Sequence, residues 1–591
     1  MSHRSRFTVV ALAAAMLAAF AAGPAAAKPD PAAKKPYVLK VDLRAQNEGH
    51  PPFSLFGDVG GQNARRVAEA IRNAATDPKV DRLWLNVEGL GASWAQVEEL
   101  RRALLEFRRS GKPSHCHVPA MGTGAYVIAA ACSDVSMPPT GVLELPGLSI
   151  EMMYLKGLFS KIGIEFEELR MGRYKSAVES MTRTGPSDGQ TEQINALLDS
   201  YFESIIAALA ENRGLKPVDV RALIDRAIFR PSEAKEAGLI DHVEYEDAFR
   251  ARVVAADGGA TREVVDLKLE EELELDFSGF SGVFKLMSAL MGGGPKKAPS
   301  TSPKVAVVYG VGGIVQHAEG GLFGGVAMTS DEMVKHFRRI REDDSVKAVV
   351  FRVDSPGGSA LASDLIWREV KLTAQKKPVV VSMGGVAASG GYYVSCAATY
   401  IFAEDTTITG SIGVIGAVAN FKGLADWAGI TMATFHRGKR AAIVGPYGEL
   451  TEEGRKVYMK FMHDVYDDFV GRVAGGRKMS REAVASVAEG RVWTGRDAKR
   501  VGLVDAIGGI DDAIAKAREL ARLDPDVEVI ELPAKKTLAD LLKGGAIRAE
   551  LADAILRLPE PVKAMLKQAE WLRAADEERV FTVLPEMFRV R

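Results

Sequence analysis

The sequence predicts an α/β fold made of two similar domains, each with a parallel β-sheet and flanking helices. The chain has 591 residues, which is too long for one hydrophobic core. Short apolar runs of β type alternate with stretches in which apolar residues recur at helical spacing. The sequence also aligns with itself at a nearly constant offset, which indicates a tandem duplication.

The self-alignment covers three separate stretches. The segment "DPKVDRLWLNVEGLGAS" from Asp77 aligns with "DDSVKAVVFRVDSPGGS" from Asp343, which is 266 residues later (343 − 77). At the same offset, "MGTGAY" from Met121 aligns with "AASGGY". Further on, "FRPSEAKEAGLID" from Phe229 aligns with "WTGRDAKRVGLVD", 264 residues later (493 − 229). Each half is therefore predicted to be a complete structural unit.

The elements of the second half follow in order from capping signals and apolar periodicity. Thr329 and Glu332 have the spacing of a capping box, and Met333, Phe337 and Ile340 then recur at helical spacing. "SVKAVVFRV" and "KPVVVSM" read as buried strands, and "YIFAE" and "GLVDAIGG" continue the alternation of strands and helices. Stacked α/β units around parallel strands are the expected result.

The local amino-acid composition predicts the domain boundaries. The stretch "GGGPKKAPSTSP", which ends at Pro303, has the composition of a linker. The predicted segments are a signal peptide or membrane anchor (1–27), a first repeat (37–255), an interdomain linker (256–303), a second repeat (304–531) and a helical C-terminal extension (532–591).

The N-terminus is typical of an export signal. Arg4 and Arg6 precede an apolar run from Phe7 to Ala22, and small residues then lead to Lys28. The run is short for a spanning helix, so cleavage before Lys28 is favoured, while an uncleaved anchor has nearly the same sequence. A periplasmic protein is expected, held at the inner membrane if the segment is retained.

Charge and cysteine content exclude several classes of protein. A formal net charge of −1 gives no overall field for nucleic acid, and the basic run 437–440 is typical of a solvated loop. Only Cys116, Cys132 and Cys396 occur, too few for a disulfide framework, and their apolar neighbours predict buried side chains.

A lone serine, Ser389, stands among small residues in "GGVAASGGYY" directly after an apolar strand. A strand-to-helix turn that presents a nucleophilic hydroxyl needs such neighbours, although a plain tight turn needs them too. Backbone donors for an oxyanion are predicted at Gly358, in the glycine turn "DSPGGS", and at Gly390, next to the serine.

The general base is the second requirement. None of the nine histidines forms a convincing triad with Ser389, and His115 and His117 lack the further ligands that a metal site needs. A lysine can serve if burial lowers its pKa. Lys175 in "MGRYKSAVES" has less polar neighbours than most lysines, although such a residue alone is more often on the surface.

The repeat strengthens the prediction that Ser389 and Lys175 act together. Thr123 occupies the position equivalent to Ser389 (389 − 266), and Ala441 the position equivalent to Lys175 (175 + 266). Each half keeps one member of the pair. This pattern is expected if an oligomeric ancestor built its site across a subunit boundary and then fused.

The motifs "YKSAVE", "DSPGGS", "ASGGYYVSCAA" and "TGSIGV" resemble the signal peptide peptidase A family in its long, duplicated form, over residues 37 to 530. The resemblance implies Clp-protease or crotonase-like domains, a Ser/Lys dyad of Ser389 and Lys175, no cofactor and no metal. It also implies a homo-oligomer, a tetramer in this family, and a lysine-orienting role for Ser411. Ser180 departs from the family's "YKSAVEP", which affects only the loop after the base.

The expected function is therefore that of an exported serine endopeptidase that degrades cleaved signal peptides and other short apolar peptides at the membrane. Two alternatives stay open. A crotonase-like acyl-CoA enzyme would share the oxyanion loops but would not need Ser389 and Lys175 together. A catalytically inactive oligomeric scaffold would keep the fold without the reaction.

Overall fold

The computed structural model describes residues 36–48, 62–256, 260–269, 302–317, 327–441, 443, 447–448, 450–533 and 581–583. Two α/β units follow one another, as the sequence predicts. The predicted signal segment lies outside the described residues, as does nearly all of the predicted C-terminal helical extension. Among the described helices, none is both long enough and apolar enough to span a bilayer.

The first unit alternates strands and helices from Tyr37 onward. Its strands are β1 (Tyr37–Asp42), β2 (Gln46–Asn47), β3 (Gln62–Asn63), β4 (Val80–Asn86), β5 (Ser114–His117), β6 (Ala120–Met121), β7 (Asp134–Met137), β8 (Val142–Leu145), β9 (Glu165–Met171), β10 (Ala227–Phe229), β11 (His242–Val243) and β12 (Val264–Asp266). Its helices are α1 (Ala64–Thr76), α2 (Trp94–Arg109), α3 (Thr123–Ala129), α4 (Lys156–Lys161), α5 (Glu179–Thr182), α6 (Asp188–Arg213), α7 (Pro217–Ile224), α8 (Pro231–Glu236) and α9 (Glu246–Val254).

The second unit repeats this order. Its strands are β13 (Lys304–Val311), β14 (Gly313–Val315), β15 (Ala327–Thr329), β16 (Val346–Ser355), β17 (Gly357–Ser359), β18 (Val379–Ala388), β19 (Tyr400–Ala403), β20 (Ile408–Gly410), β21 (Val414–Asn420), β22 (Val492–Thr494), β23 (Ala506–Ile507), β24 (Glu528–Leu532) and β25 (Phe581–Val583). Its helices are α10 (Ser330–Glu342), α11 (Ala360–Ala374), α12 (Gly390–Ser395), α13 (Lys422–Trp427), α14 (Glu452–Arg477), α15 (Arg481–Val487), α16 (Gly495–Arg500) and α17 (Ile510–Ala521).

The central sheets of the two units have the same topology. In the first unit the parallel strands run in the order β11-β7-β5-β4-β1-β12. In the second, the parallel path β23-β19-β18-β16-β13-β24 has the same connectivity. The predicted tandem α/β fold with parallel sheets is confirmed. The edge strand β12 lies within the stretch 256–303, which the sequence predicts to be an interdomain linker without a strand.

Equivalent side-chain contacts recur in both units. The Tyr126 hydroxyl donates to the Leu239 carbonyl at 2.6 Å, and at the repeat positions Tyr392 donates to Leu503 at 2.8 Å. The Arg213 guanidinium pairs with a carboxylate, Asp241, in the first unit, and Arg477 pairs with Asp505 in the second. The duplication has therefore conserved internal hydrogen bonds as well as strand order.

The helix and strands predicted for the second half are present. Thr329 caps α10 and accepts a hydrogen bond from the Glu332 amide at 3.3 Å, and Met333, Phe337 and Ile340 are buried. Valine-rich β16 and β18 lie in the centre of the sheet and are buried along most of their length, because helices cover both faces. The three cysteines are buried and free.

A smaller mixed sheet joins the two units. Strand β9 of the first unit pairs antiparallel with β21 of the second, from Glu165↔Asn420 to Met171↔Val414. The same sheet also contains β17, and the short strand β25 lies between β17 and β21. This pairing brings the chain that follows Met171 next to the chain that precedes Val414.

Buried ion pairs also connect the units. The fully buried Arg352 guanidinium contacts Glu48 at 2.7 Å and Glu99 at 2.8 Å, and both carboxylates belong to the first unit. Arg102 of the first unit pairs with Glu404 of the second, and burial nevertheless raises the pKa of Glu404 to about 7. The interface thus depends on charges that have been removed from water.

Replacing the central cation should weaken this interface strongly. Arg352→Met leaves two buried carboxylates without their partner, and breaking a buried pair in this way costs about 3–5 kcal/mol. A lower thermal unfolding midpoint by circular dichroism is the expected result. The control Arg500→Met removes an exposed pair with Asp497, worth roughly 0–1 kcal/mol. Equal midpoints for the two variants would contradict a structural role for the Arg352 pairs.

Candidate active site

The predicted nucleophile lies at a strained strand-to-helix turn. Ser389 follows β18 directly, precedes α12, and has φ +56° and ψ −115°. A positive φ at a residue other than glycine costs roughly 1–3 kcal/mol, a cost typical of functional sites. The Ser389 amide donates to the Gly410 carbonyl at 2.8 Å and the side chain is buried. The turn at Ser389 is therefore strained rather than relaxed.

Lys175 of the first unit reaches this serine. Its amine nitrogen Nζ lies 2.6 Å from Ser389 Oγ. The lysine is 1% exposed, and burial places its pKa well below the usual lysine value. The two residues are 214 positions apart (389 − 175), so docking of the two units creates the contact. The sequence prediction that each half supplies one member of the pair agrees with this arrangement.

Ser411 supplies the other neighbours of the amine. Lys175 Nζ lies 2.9 Å from the Ser411 carbonyl oxygen and 3.0 Å from its Oγ. A neutral amine has two N–H donors and one lone pair, so donation to Ser411 leaves the lone pair for the Ser389 hydroxyl. Ser411 is also buried and has a positive φ of +52°. The three predicted side chains therefore meet in one cluster.

The predicted oxyanion donors lie beside this cluster. Gly390 is the first residue of α12, and Gly358 is in β17, against which α12 packs. A Cβ at Gly358 would lie 2.1 Å from the Ile314 carbonyl oxygen, so only glycine fits there. Strand β25 lies antiparallel to β17 and pairs Thr582 with Gly358.

Several residues that position the lysine have no signal in the single sequence. The Tyr174 amide donates to the Glu489 carbonyl at 2.9 Å, which ties the lysine segment to the second unit. Gln193 of α6 donates to the Tyr174 carbonyl at 3.0 Å and to Ser176 Oγ at 2.9 Å. Gly490 lies directly against Lys175. These contacts hold the segment that carries Lys175 against the second unit.

The remaining candidates of the sequence lie elsewhere. His115 contacts Asp134 at 2.8 Å, and His117 contacts Ser136 at 2.9 Å, in the first unit. In the described part of the chain, no group of three or more His, Cys, Asp or Glu residues has a geometry suited to a metal ion. Thr123, the position equivalent to Ser389, begins α3, and Ala441, the position equivalent to Lys175, is exposed.

The position of Thr123 leads to a test of the single composite site. A Thr123→Ser, Ser389→Ala double variant should have no peptidase activity, because Ala441 supplies no base beside the new hydroxyl. The measurement is peptide turnover beside the Ser389→Ala single variant. Turnover in the double variant above that of the single variant would mean that the first unit can form a second site.

An α/β protein that holds a serine at a strained turn, in contact with a buried amine, has the architecture of a serine peptidase. The chain belongs to peptidase family S49, whose family model matches residues 106–257 and 371–524, one stretch in each unit. Both the class and the family predicted from the sequence motifs are confirmed.

Known relatives cover most of the chain. A chloroplastic serine protease SPPA from Arabidopsis thaliana is 35% identical over 86% of this chain and 73% of its own length. Protease 4 from Salmonella typhi is 31% identical over 84% of this chain and 78% of its own length. Protease 4 from Haemophilus influenzae is 29% identical over 85% of this chain and 81% of its own length. A solved ClpP1 structure from Listeria monocytogenes matches 35% of this chain at 16% identity, with a TM-score of 0.24.

Proposed function

We propose that this serine peptidase is an endopeptidase with a Ser/Lys dyad of Ser389 and Lys175. The contact of 2.6 Å between a buried amine and the serine hydroxyl carries the proposal. A general base must lie within hydrogen-bond reach of the proton it takes and must be unprotonated at the working pH. Lys175 meets the first condition by geometry, and the lowering of its pKa by burial favours the second.

The reaction would proceed by acyl transfer. Neutral Lys175 takes the Ser389 proton while Oγ attacks the peptide carbonyl carbon, and the Gly358 and Gly390 amides stabilise the resulting oxyanion. Collapse breaks the peptide C–N bond, and the protonated lysine returns its proton to the leaving amine. Water then attacks the acyl-enzyme with Lys175 again as the base. Ser411 orients the amine throughout.

The proposed substrates are cleaved signal peptides and other short apolar peptides. An Enterococcus faecium relative, 37% identical over 39% of this chain, bears the name putative signal peptide peptidase SppA. The edge at β17 accepts β25 as an antiparallel neighbour, and an extended peptide presents the same backbone groups. The export signal in the sequence supports a periplasmic location at the inner membrane, and the family resemblance supports a homo-oligomer.

Labelling with a serine-directed phosphonate tests the dyad. The purified chain should form an adduct that maps to Ser389, and the adduct should abolish cleavage of a synthetic signal peptide. A labelled, active protein that spares signal peptides would overturn the substrate assignment alone. A folded protein that neither reacts nor cleaves peptides would favour the acyl-CoA enzyme or the inactive scaffold.

A further inference from the structure

The carboxylate of Asp354 bridges the oxyanion loop and the strand that carries the nucleophile. We propose that Asp354 is a positioning residue for hydrolysis at Ser389, because it holds the loop that bears Gly358 in place against β18. This inference rests on the proposed peptidase function. It adds a residue outside the proposed dyad and oxyanion donors.

The bridge lies where the sheet register breaks. Strands β16 and β18 pair Val353 with Met383, and the next pair is Ser355 with Ala387. Between these pairs β18 advances four residues (387 − 383) and β16 only two (355 − 353), so β18 contains a bulge. The Val386 amide, within the bulge, donates to Asp354 Oδ1 at 2.8 Å. The Asp354 carboxylate thus accepts the hydrogen bond that a backbone carbonyl of β16 would accept from Val386 in a regular sheet.

The bulge is shaped to receive this side chain. A Cβ at Gly384 would lie 2.9 Å from Asp354 Cβ and 3.0 Å from its Cγ. A Cβ at Gly385 would lie 3.6 Å from Oδ1 and 2.9 Å from Ser93 Cβ. Two successive glycines therefore leave room for the aspartate. A longer side chain at position 354 would have to displace the backbone of the bulge.

Backbone contacts connect the bridge to both oxyanion donors. Ser355 Oγ accepts a hydrogen bond from the Gly357 amide at 3.2 Å, just before Gly358. On the other side, a Cβ at Gly391 would lie 2.6 Å from the Ser355 carbonyl oxygen, so this loop touches the start of α12. A shift of Asp354 would therefore change the position of Gly358 relative to Gly390.

The hydrogen bond between the Val386 amide and Asp354 requires an acceptor oxygen but not a negative charge. Burial, and next the nearby carboxylate of Glu48, raise the pKa of Asp354 to about 6, although the hydrogen bond from the Val386 amide and the charge of Arg352 oppose them. Ionisation is therefore less favourable here than for a solvated aspartate. An asparagine keeps an oxygen in the place of Oδ1 and can still accept from Val386, whereas alanine cannot.

Three variants at this position test the proposal in the full-length protein. Asp354→Ala should lower kcat and kcat/KM for a synthetic signal peptide equally, by roughly 10²-fold, because oxyanion donors act in the transition state. Asp354→Asn should keep kcat within about threefold, since one good hydrogen bond is retained. Asp354→Glu should lose at least about tenfold, because the longer side chain disturbs the bulge.

The control is a half-buried carboxylate with the same local role outside the site. Asp505 accepts from the Ile401 amide at 2.8 Å and pairs with Arg477. Asp505→Ala should lower the thermal midpoint as much as Asp354→Ala but leave kcat near the parent value. If Asp354→Ala does not fold, the Asn and Glu variants decide the question. Parent-like kcat in the Glu variant, or an Asn variant as impaired as the Ala or Glu variant, would overturn the proposal.

The same assay separates this inference from the proposed function. A parent protein that forms the phosphonate adduct at Ser389 and cleaves peptides supports the peptidase, whatever the variants do. If that parent is active and all three variants match it, only the role of Asp354 is wrong. A parent without adduct and without turnover would instead remove the function on which the inference rests.

Discussion

Lys175→Arg should lower peptide turnover by roughly 10²–10⁴-fold, the usual contribution of a general base. Arginine keeps the positive charge and the approximate length of lysine, but its guanidinium stays protonated and cannot accept the Ser389 proton. Lys175→Ala should be equally impaired. Circular dichroism and oligomer size should show that both variants still fold.

Lys439→Ala is the matched control, because this exposed lysine lies in the loop near Ala441, the position equivalent to the base. It should retain the parent's turnover. Near-parent turnover in Lys175→Arg would mean that the lysine is structural and that the Ser/Lys mechanism is wrong.

The pH dependence of the parent follows from the same burial. Desolvation lowers the pKa of Lys175, so the neutral amine becomes populated at lower pH than for a solvated lysine. Turnover should rise with pH through that lowered pKa and fall as the amine is protonated. The unfolded chain binds the proton more readily, so this group also makes stability rise with pH between the folded and unfolded pKa values.

The residues of the proposed dyad can be picked out from the sequence because they lie in local motifs. The glycines and alanines around Ser389 reveal a turn, and the complementary losses at Thr123 and Ala441 connect it with Lys175. The parallel sheets follow from apolar runs and the repeat. Each of these signals lies within a few residues or at one constant offset.

The groups that hold the dyad together are not predictable in the same way. Asp354 acts through a bulge that exists only once β16 and β18 are paired out of register. Gln193 connects Tyr174 and Ser176 of the first unit with the Val492 amide of the second. Such contacts depend on how the two units dock, and no local periodicity encodes that docking.

Gly490 is the clearest case, and replacing it should have the second large effect. Its φ is +77°, and a Cβ there would lie 2.5 Å from Lys175 Cβ and 2.6 Å from the Lys175 amide nitrogen. The Gly490 amide also donates to the Ile412 carbonyl at 2.8 Å, next to Ser411. The added methyl group in Gly490→Ala therefore has to push the base away from the residues that orient it.

A misplacement of about 1 Å can cost roughly 10²-fold in rate, so Gly490→Ala should lower kcat to that extent without unfolding the chain. Gly475→Ala is the control, since this glycine lies in α14 with no atom within 4 Å of an added Cβ. It should keep full turnover and gain slightly in stability, because alanine has a higher helix propensity than glycine.

The serine in Gly490→Ala should also react more slowly with the phosphonate, because its proton has lost its acceptor. Full turnover in Gly490→Ala would show that the segment 489–491 can move without moving the amine, and that the docking of the two units does not set the geometry of the dyad.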